Sequence, residues 1–360
     1  MKERIYICHT YYHVYVTFLK ELTRPKEQRG QATLVLSSLS IDFEQLKDRA
    51  SATGLFEVVV EFDEKRDTAF PELAKYRQDT GNLVKNLINR VKFTRKFAHA
   101  LAPTIPVNLK EYGDVYVYCD SDPIGYYLNV YKIPYHALED GLNCLKNYDA
   151  ARYDNRGHFG LKAFLSERCN LIFIQNGYGK YCLDMEVNDI SLLKYPYRKY
   201  IQQPRQALVE KLTQEDKDII LQAFVRDMES LRAQLFNQEE EGAPGRDKIL
   251  ILTDPLCSLN IRERIFRDII AMYEPEGKIF LKPHPRDGLD YRTLFAEYPQ
   301  FDATVPMEML NFFPGIRFKK VVAVLTEVGA IQFADEKVRL GEAFMDKYED
   351  PLIHRQNEQI

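Results

Sequence analysis

The chain has 360 residues, 45% of them apolar and 28% charged, with a formal net charge of −4. That length suits two globular domains, and the mild acidity disfavours wholesale nucleic-acid binding. No apolar run is long enough to cross a bilayer, and the opening Met1-Lys2-Glu3-Arg4 leads into a strand-like run instead of a signal-peptide core, so a cytoplasmic protein is expected.

In chain order, residues 4–8 read as a strand and 12–23 as a helix. Strands follow at 32–37 and 56–62, with a helix near 42–51 between them. Residues 71–101 look mostly helical, with Pro71 near the start. Strands are expected at 114–119, 135–138 and 171–175, with a helix from Pro123 to about Tyr131 after the first of these. Strands alternating with helices argue for a parallel sheet covered on both faces. A long helical stretch over 203–240 then ends in Glu239-Glu240-Glu241-Gly242-Ala243-Pro244-Gly245, the best linker in the chain. A second α/β unit follows, with strands at 248–253, 278–282 and 319–325, a helix at 261–273, and helical residues from about Gly329. Two doubly wound units of this kind would leave a cleft between their strand ends.

The most informative stretch is Lys282-Pro283-His284-Pro285-Arg286, directly after an apolar strand. Proline fixes its own φ and keeps the preceding residue out of the helical region. Lys282 and His284 are therefore held extended at a strand's C-terminal end, where open α/β sheets bind ligands. A rigid histidine between two basic residues suits a phosphate or a developing anion. Glu139-Asp140-Gly141 follows the short strand at 135–138, and its acids are either a base on a hydroxyl or turn and capping residues. Thr253-Asp254-Pro255-Leu256 ends another strand, and Asp254 is a cap or a second acid near the chemistry. Pro306-Met307-Glu308 reads as ordinary capping, though Glu308 also suits a ribose diol. At Thr326 a strand runs into an expected helix start, whose exposed N–H groups favour phosphate.

Other patterns are weaker. Asp120-Ser121-Asp122 has the D-x-D spacing of a diphosphate-bound metal, but Asp122-Pro123 also reads as an N-cap with proline at the first helical position, and the cap is favoured. The six cysteines, at 8, 119, 144, 169, 182 and 257, form no C-x-x-C pair and are read as reduced thiols. His9, His13, His136 and His158 lack zincin spacing and are read as structural, so no metal site is assigned. The basic segment 85–96 is either a solvated helix face or a surface for an anionic membrane. The stretch Lys194-Tyr195-Pro196-Tyr197-Arg198-Lys199-Tyr200 invites the same two readings.

With these pieces in place, the sequence resembles the bacterial sialyltransferases of glycosyltransferase family 52. The resemblance rests on Glu139-Asp140-Gly141, on His284-Pro285, on the Thr253-Asp254-Pro255-Leu256 strand exit, on Pro306-Met307-Glu308, and on the opening Cys8-His9-Thr10 with His13. It implies an α/β, GT-B-like fold of two Rossmann-type domains facing a cleft. Residues 1–202 would be the acceptor-side domain, 203–247 a connector and linker, and 248–360 the donor-binding domain. It further implies an inverting, metal-independent transfer of sialic acid from CMP-sialic acid to a hydroxyl of a cell-surface glycan, such as a lipooligosaccharide or capsule. Carried over, Asp140 is the base with Asp254 in reserve, and His284 stabilises or protonates the departing phosphate. Lys282, Pro285, Glu308, Thr326, Gly141 and Thr10 are the candidate donor-binding residues. No cofactor is implied beyond the donor. The resemblance leaves room for a homodimer that exchanges the 203–240 stretch, and for peripheral membrane contact. One departure stands out: the family's Ser/Thr-Ser pair reads Thr326-Glu327 here, which leaves open a different activated sugar, or a non-catalytic protein that binds glycans or nucleotides.

Overall fold

A computed structural model of the chain describes residues 2–354 except 119, 121, 122, 142–144, 146–148, 237–246, 314 and 330. The Asp122 cap, Cys119, Cys144 and nearly all of the expected linker lie outside the described residues. The chain divides into two compact units, Met1–Asp216 and Lys217–Ile360. The division falls inside the 203–247 stretch, which forms three short helices, Arg205–Val209, Gln214–Phe224 and Met228–Phe236, instead of one long one.

The first unit is built on a seven-stranded, wholly parallel sheet. Its strands are β1 (Lys2–Cys8), β2 (Ala32–Ser37), β3 (Val58–Phe62), β4 (Tyr112–Tyr118), β5 (Tyr135–Leu138), β6 (Cys182–Val187) and β7 (Tyr200–Gln202). Their order is β3-β2-β1-β4-β5-β6-β7, so the winding direction reverses between β1 and β4. The central strands read as unbroken apolar runs because both faces are covered; all six residues of β2 are buried. The second unit has four parallel strands, β8 (Lys248–Leu252), β9 (Lys278–Lys282), β10 (Phe318–Ala323) and β11 (Ala334–Arg339), in the order β11-β10-β8-β9. Its core joins Ile249, Ile251, Leu281 and Val322 to Ile265, Phe266 and Ile269 of the helix Leu259–Tyr273. Each unit thus has the parallel α/β organisation expected from the sequence, and in each the winding reverses beside its first strand.

Two expected elements are corrected and a third, the mostly helical 71–101, is refined. Residues 171–175 are an irregular loop, not a strand. Ile172 and Ile174 are buried in a satellite cluster with Ala151 and Tyr178, and an apolar run of this length carries the same pattern in a strand or a buried loop. The sheet continues instead through β6, whose Asp184 and Glu186 mask its alternation, and through the three-residue β7. Residues 71–101 break into a 3-10 helix, Pro71–Tyr76, and the helix Leu83–Leu101, which Asn82 caps by accepting from Lys85 N at 3.0 Å. No helix starts between Thr326 and β11 among the described residues. The chain goes on to β11, a mostly exposed strand at the sheet's edge whose charged residues suit that position.

One buried carboxylate gathers the strand ends of the first unit. Glu64, two residues past β3, accepts from Ser37 Oγ at 2.7 Å and from Ile124 N at 2.8 Å, and pairs with His9 Nε2 at 2.8 Å. These partners follow or end β2, β4 and β1. Removing the carboxylate strands several buried polar groups, each worth about 1–3 kcal/mol. Glu64→Ala is expected to lower stability by about 3 kcal/mol and Glu64→Gln by clearly less, read as the denaturation midpoint at unchanged m-value; equal loss in both would contradict the assignment.

Candidate active site

At the winding reversal of the first unit, β1 ends and the chain turns into the helix Tyr11–Leu22. Thr10 caps that helix, its hydroxyl accepting from His13 N at 3.2 Å. The cap places His13 in the first turn, buried and stacked on Tyr118 with ring centroids 4.4 Å apart. His9 N donates to His13 Nδ1 at 3.0 Å, so the ring proton sits on Nε2, which donates to the Asp140 carboxylate. Asp140 lies just past β5, and its side chain keeps about a third of its surface open (35%). The turn beyond it needs Gly141, whose φ of +91° favours glycine. Next to it, Glu139 is buried and accepts from Asn188 N at 2.8 Å; burial raises its pKa. The structure brings Thr10, Asp140 and Gly141 to one sheet edge, and His13, read from sequence as structural, is the residue that orients Asp140.

Asp120, the described acid of the D-x-D pattern, serves the scaffold. Asp120 is fully buried, accepting from Tyr135 OH at 2.9 Å, from Gly177 N at 3.2 Å and from Asn176 N. Its carboxylate ties the 176–177 turn to the end of β4. Tyr197 of the basic aromatic stretch stacks on Tyr178 with centroids 4.1 Å apart, which is core packing of the same region.

In the second unit, the histidine loop is clamped from beneath. His284 N donates to Thr253 Oγ1 at 3.0 Å, and Arg286 N donates to His284 Nδ1 at 3.1 Å. The imidazole proton therefore sits on Nε2. Burial, helped by Arg286 and Lys282 against the pull of Asp254, lowers the His284 pKa to about 4. The ring is neutral near pH 7 and is a hydrogen-bond donor rather than an imidazolium acid. Pro285 is exposed on the loop. Asp287 anchors the loop's far side. It pairs with Arg262 and accepts from Tyr291 OH at 2.8 Å and Thr253 Oγ1 at 3.2 Å.

Lys282, the last residue of β9, is buried, with Nζ donating to the carbonyls of Pro283 at 2.9 Å and Ala303 at 3.0 Å. Burial lowers its pKa to about 8, against the opposing pull of Asp302 and Glu308. It lines a cavity of about 230 Å³ with Arg226, Arg292, Gln300 and Asp302. Glu308 lies in the 3-10 helix Met307–Phe312, and burial raises its pKa while Lys282 opposes the shift.

Asp254 and Thr326 meet, though not as separate ligand-binding groups. Asp254 Oδ2 accepts from Leu325 N at 3.1 Å and Thr326 N at 3.3 Å, and its Oδ1 accepts from Thr326 Oγ1. This clasp joins the loops after β8 and β10. Thr326 thus points its hydroxyl at a carboxylate, and no helix start stands behind it. Glu327 pairs with Arg339 of β11 at 3.1 Å, so its charge is held by a guanidinium. Sequence reasoning had no handle on Arg262, Asp287 or Arg339, which are ordinary charged residues until folding pairs them.

The family model described as Glycosyltransferase family 52 matches residues 57–326. An "Uncharacterized protein" of Haemophilus influenzae (strain ATCC 51907 / DSM 11121 / KW20 / Rd) is 29% identical over 133 residues, which is 36% of this chain and 39% of that relative. Among solved structures, the α/β-galactoside α-2,3-sialyltransferase of Photobacterium phosphoreum is 12% identical, covering 93% of this chain and 89% of that one at a TM-score of 0.49. The UDP-GlcNAc 2-epimerase of Neisseria meningitidis is 11% identical, covering 92% and 79% at a TM-score of 0.47. With three quarters of its length matched by the family model, the chain belongs to glycosyltransferase family 52.

Proposed function

We propose that the protein is an inverting glycosyltransferase that moves sialic acid from CMP-sialic acid to a hydroxyl of a cell-surface glycan. The observation that carries this reading is the histidine loop: a neutral imidazole with its proton on Nε2, just past the strand that ends in a buried lysine, in a chain of family 52. The leaving group of such a donor is a nucleoside monophosphate. A fixed N–H and a nearby ammonium stabilise its developing charge without any rearrangement during the step. Glu308 suits the ribose. Asp140, aligned by His13 and open to solvent, takes the proton from the attacking hydroxyl as the bond to the sugar's anomeric carbon forms and the bond to phosphate breaks. Asp254 is the weaker candidate for base, because it is buried and its oxygens already accept three hydrogen bonds. A different nucleotide-activated sugar is the second reading, favoured by one observation: the Thr326 hydroxyl is spent on Asp254.

A thermal-shift screen of nucleotides and nucleotide sugars tests the donor. CMP and CMP-sialic acid are expected to raise Tm; a shift with a uridine or adenosine donor and none with CMP would transfer the assignment to the second reading. Asp140→Asn is expected to cut kcat by about 10²–10⁴-fold with donor KM unchanged. If Asp254→Asn does this instead, the base is Asp254.

Donor binding has a predictable pH limit. Lys282 carries its charge below a pKa of about 8 and loses it above. Donor KM is therefore expected to be flat from pH 6 to 7.5 and to rise toward about tenfold per pH unit above 8. Lys282→Gln should show a raised KM with no such limb, and a limb that persists in this variant would assign it to another group.

The membrane contact is also a proposal. The helix Leu83–Leu101 carries Lys85, Arg90, Lys92, Arg95 and Lys96 and no acidic residue, while Leu83, Val84 and Ile88 are exposed. Apolar side chains among basic ones match an anionic bilayer surface. Co-sedimentation with phosphatidylglycerol vesicles, but not with phosphatidylcholine vesicles, is expected for the native protein and should fall sharply in Ile88→Glu; absence of binding to both rejects the contact.

A further inference from the structure

The first unit holds a cavity of about 630 Å³ that the catalytic and donor-binding roles proposed above leave unused. Its walls come from segments that follow three strands of the sheet. Tyr76 and Asp79 lie between β3 and the helix Leu83–Leu101. Tyr126 is in the first turns of the helix Pro123–Val130 after β4. Asp154, Phe173 and Gln175 lie between β5 and β6. These are the segments from which open α/β sheets build ligand sites. Neither His13 nor Asp140 is among the lining residues.

The lining is aromatic and amide-rich. Tyr126 sits edge-on between Phe93, at 5.8 Å and 87°, and Phe173, at 4.8 Å and 62°. Around this aromatic wall stand planar polar groups already locked in pairs. Gln175 donates to Asp154, Arg90 donates to Asn155, and Asn86 donates to Asp79 at 2.6 Å. Locked amides and carboxylates present fixed donors and acceptors at low entropic cost. The volume is within the range of about 300–1,000 Å³ common to ligand pockets.

Charge narrows the ligand class. The two arginines of the lining are engaged by protein partners: Arg77 pairs with Asp67, and Arg90 is held by Asn155 and by the Phe173 carbonyl at 3.4 Å. Asp79 and Asp154 stand in the same wall. Two aspartates balance the two arginines of the lining, so a phosphate meets no net positive charge and a nucleotide fits poorly. A pyranose fits well. Its C–H faces pack on aromatic rings, and its vicinal hydroxyls bridge carboxylate and amide oxygens.

We propose that this cavity is a saccharide-binding site that holds a neutral part of the acceptor glycan away from the reacting hydroxyl. Its place in catalysis rests on the glycosyltransferase reading above, whereas the binding itself does not. Such a site makes the enzyme prefer extended acceptors over short ones, because remote sugar contacts add binding energy that a monosaccharide cannot supply.

The test is saturation-transfer NMR on the full chain without donor, using lacto-N-neotetraose and maltotetraose as probes and CMP as the control. Transfer to pyranose C–H protons of at least one tetrasaccharide is expected, and CMP should not compete for it. Gln175→Ala and Tyr76→Ala, both at partly exposed positions, are expected to weaken that binding about tenfold or more, the loss of roughly one good hydrogen bond or packing contact. Far-ultraviolet circular dichroism and Tm report whether each variant is folded. Donor hydrolysis by the variants should match the native rate, and KM should rise for tetrasaccharide acceptors but not for methyl galactoside. No transfer from either tetrasaccharide, transfer unchanged in both folded variants, or displacement by CMP overturns the site. Saccharide binding in a protein that hydrolyses no nucleotide sugar would sustain the site and defeat the glycosyltransferase reading instead.

Discussion

The second unit depends on one buried ion pair, Arg262 with Asp287. Two charges taken out of water cost several kcal/mol each unless hydrogen bonds saturate them. Here they are saturated. Arg262 also donates to the Leu256 and Cys257 carbonyls, and Asp287 also accepts from Tyr291, Thr253 and its neighbour Leu289. What the pair achieves is geometric. Arg262 grips the loop after β8 and Asp287 grips the loop after β9, so the Thr253 hydroxyl is fixed where it accepts from His284 N. A well-packed apolar pair at these positions could keep comparable stability, but it would leave Thr253 and Tyr291 without their partner and the histidine loop without its register.

The same device recurs at other strand ends. Glu64, Asp120 and Asp254 are all buried carboxylates placed just beyond a strand, and each accepts backbone N–H groups from a different loop. A parallel sheet creates the need for them. The loops that leave its strands all lie at one edge, where N–H groups no longer have ladder partners. An acceptor-only group with two oxygens satisfies several donors at once. Candidate catalytic carboxylates therefore compete with structural ones at this edge, and sequence alone does not separate them. Asp120 and Asp254 are spent on the scaffold, whereas Asp140 stays open and is aligned from one side by His13.

That competition marks where sequence reading succeeds and where it stops. The strands that alternate with helices, the reversal of each sheet and the stiff loop around His284 were legible because periodicity and proline stereochemistry are local. Residues 171–175 were misread because burial, not strand pairing, made them apolar. The helix expected after Thr326 failed for a related reason: a strand exit and a glycine mark a turn, while whether a helix or an edge strand follows is set by pairing with β10, a contact made elsewhere in the chain. The pairs Arg262–Asp287 and Glu327–Arg339 join residues 25 and 12 positions apart, and charged residues at such separations carry no local signature.

The Glu327–Arg339 pair bears directly on the donor. A carboxylate in place of a hydroxyl beside a phosphate is unfavourable by Coulomb repulsion, and from sequence that left open a different activated sugar. The structure changes the weight of the argument without reversing it. Arg339 neutralises Glu327 at the end of β11, so repulsion is reduced, yet a hydroxyl donor is still missing and Thr326 is turned toward Asp254. In the proposed transfer, charge stabilisation on the leaving group then falls mainly to His284 Nε2–H and Lys282.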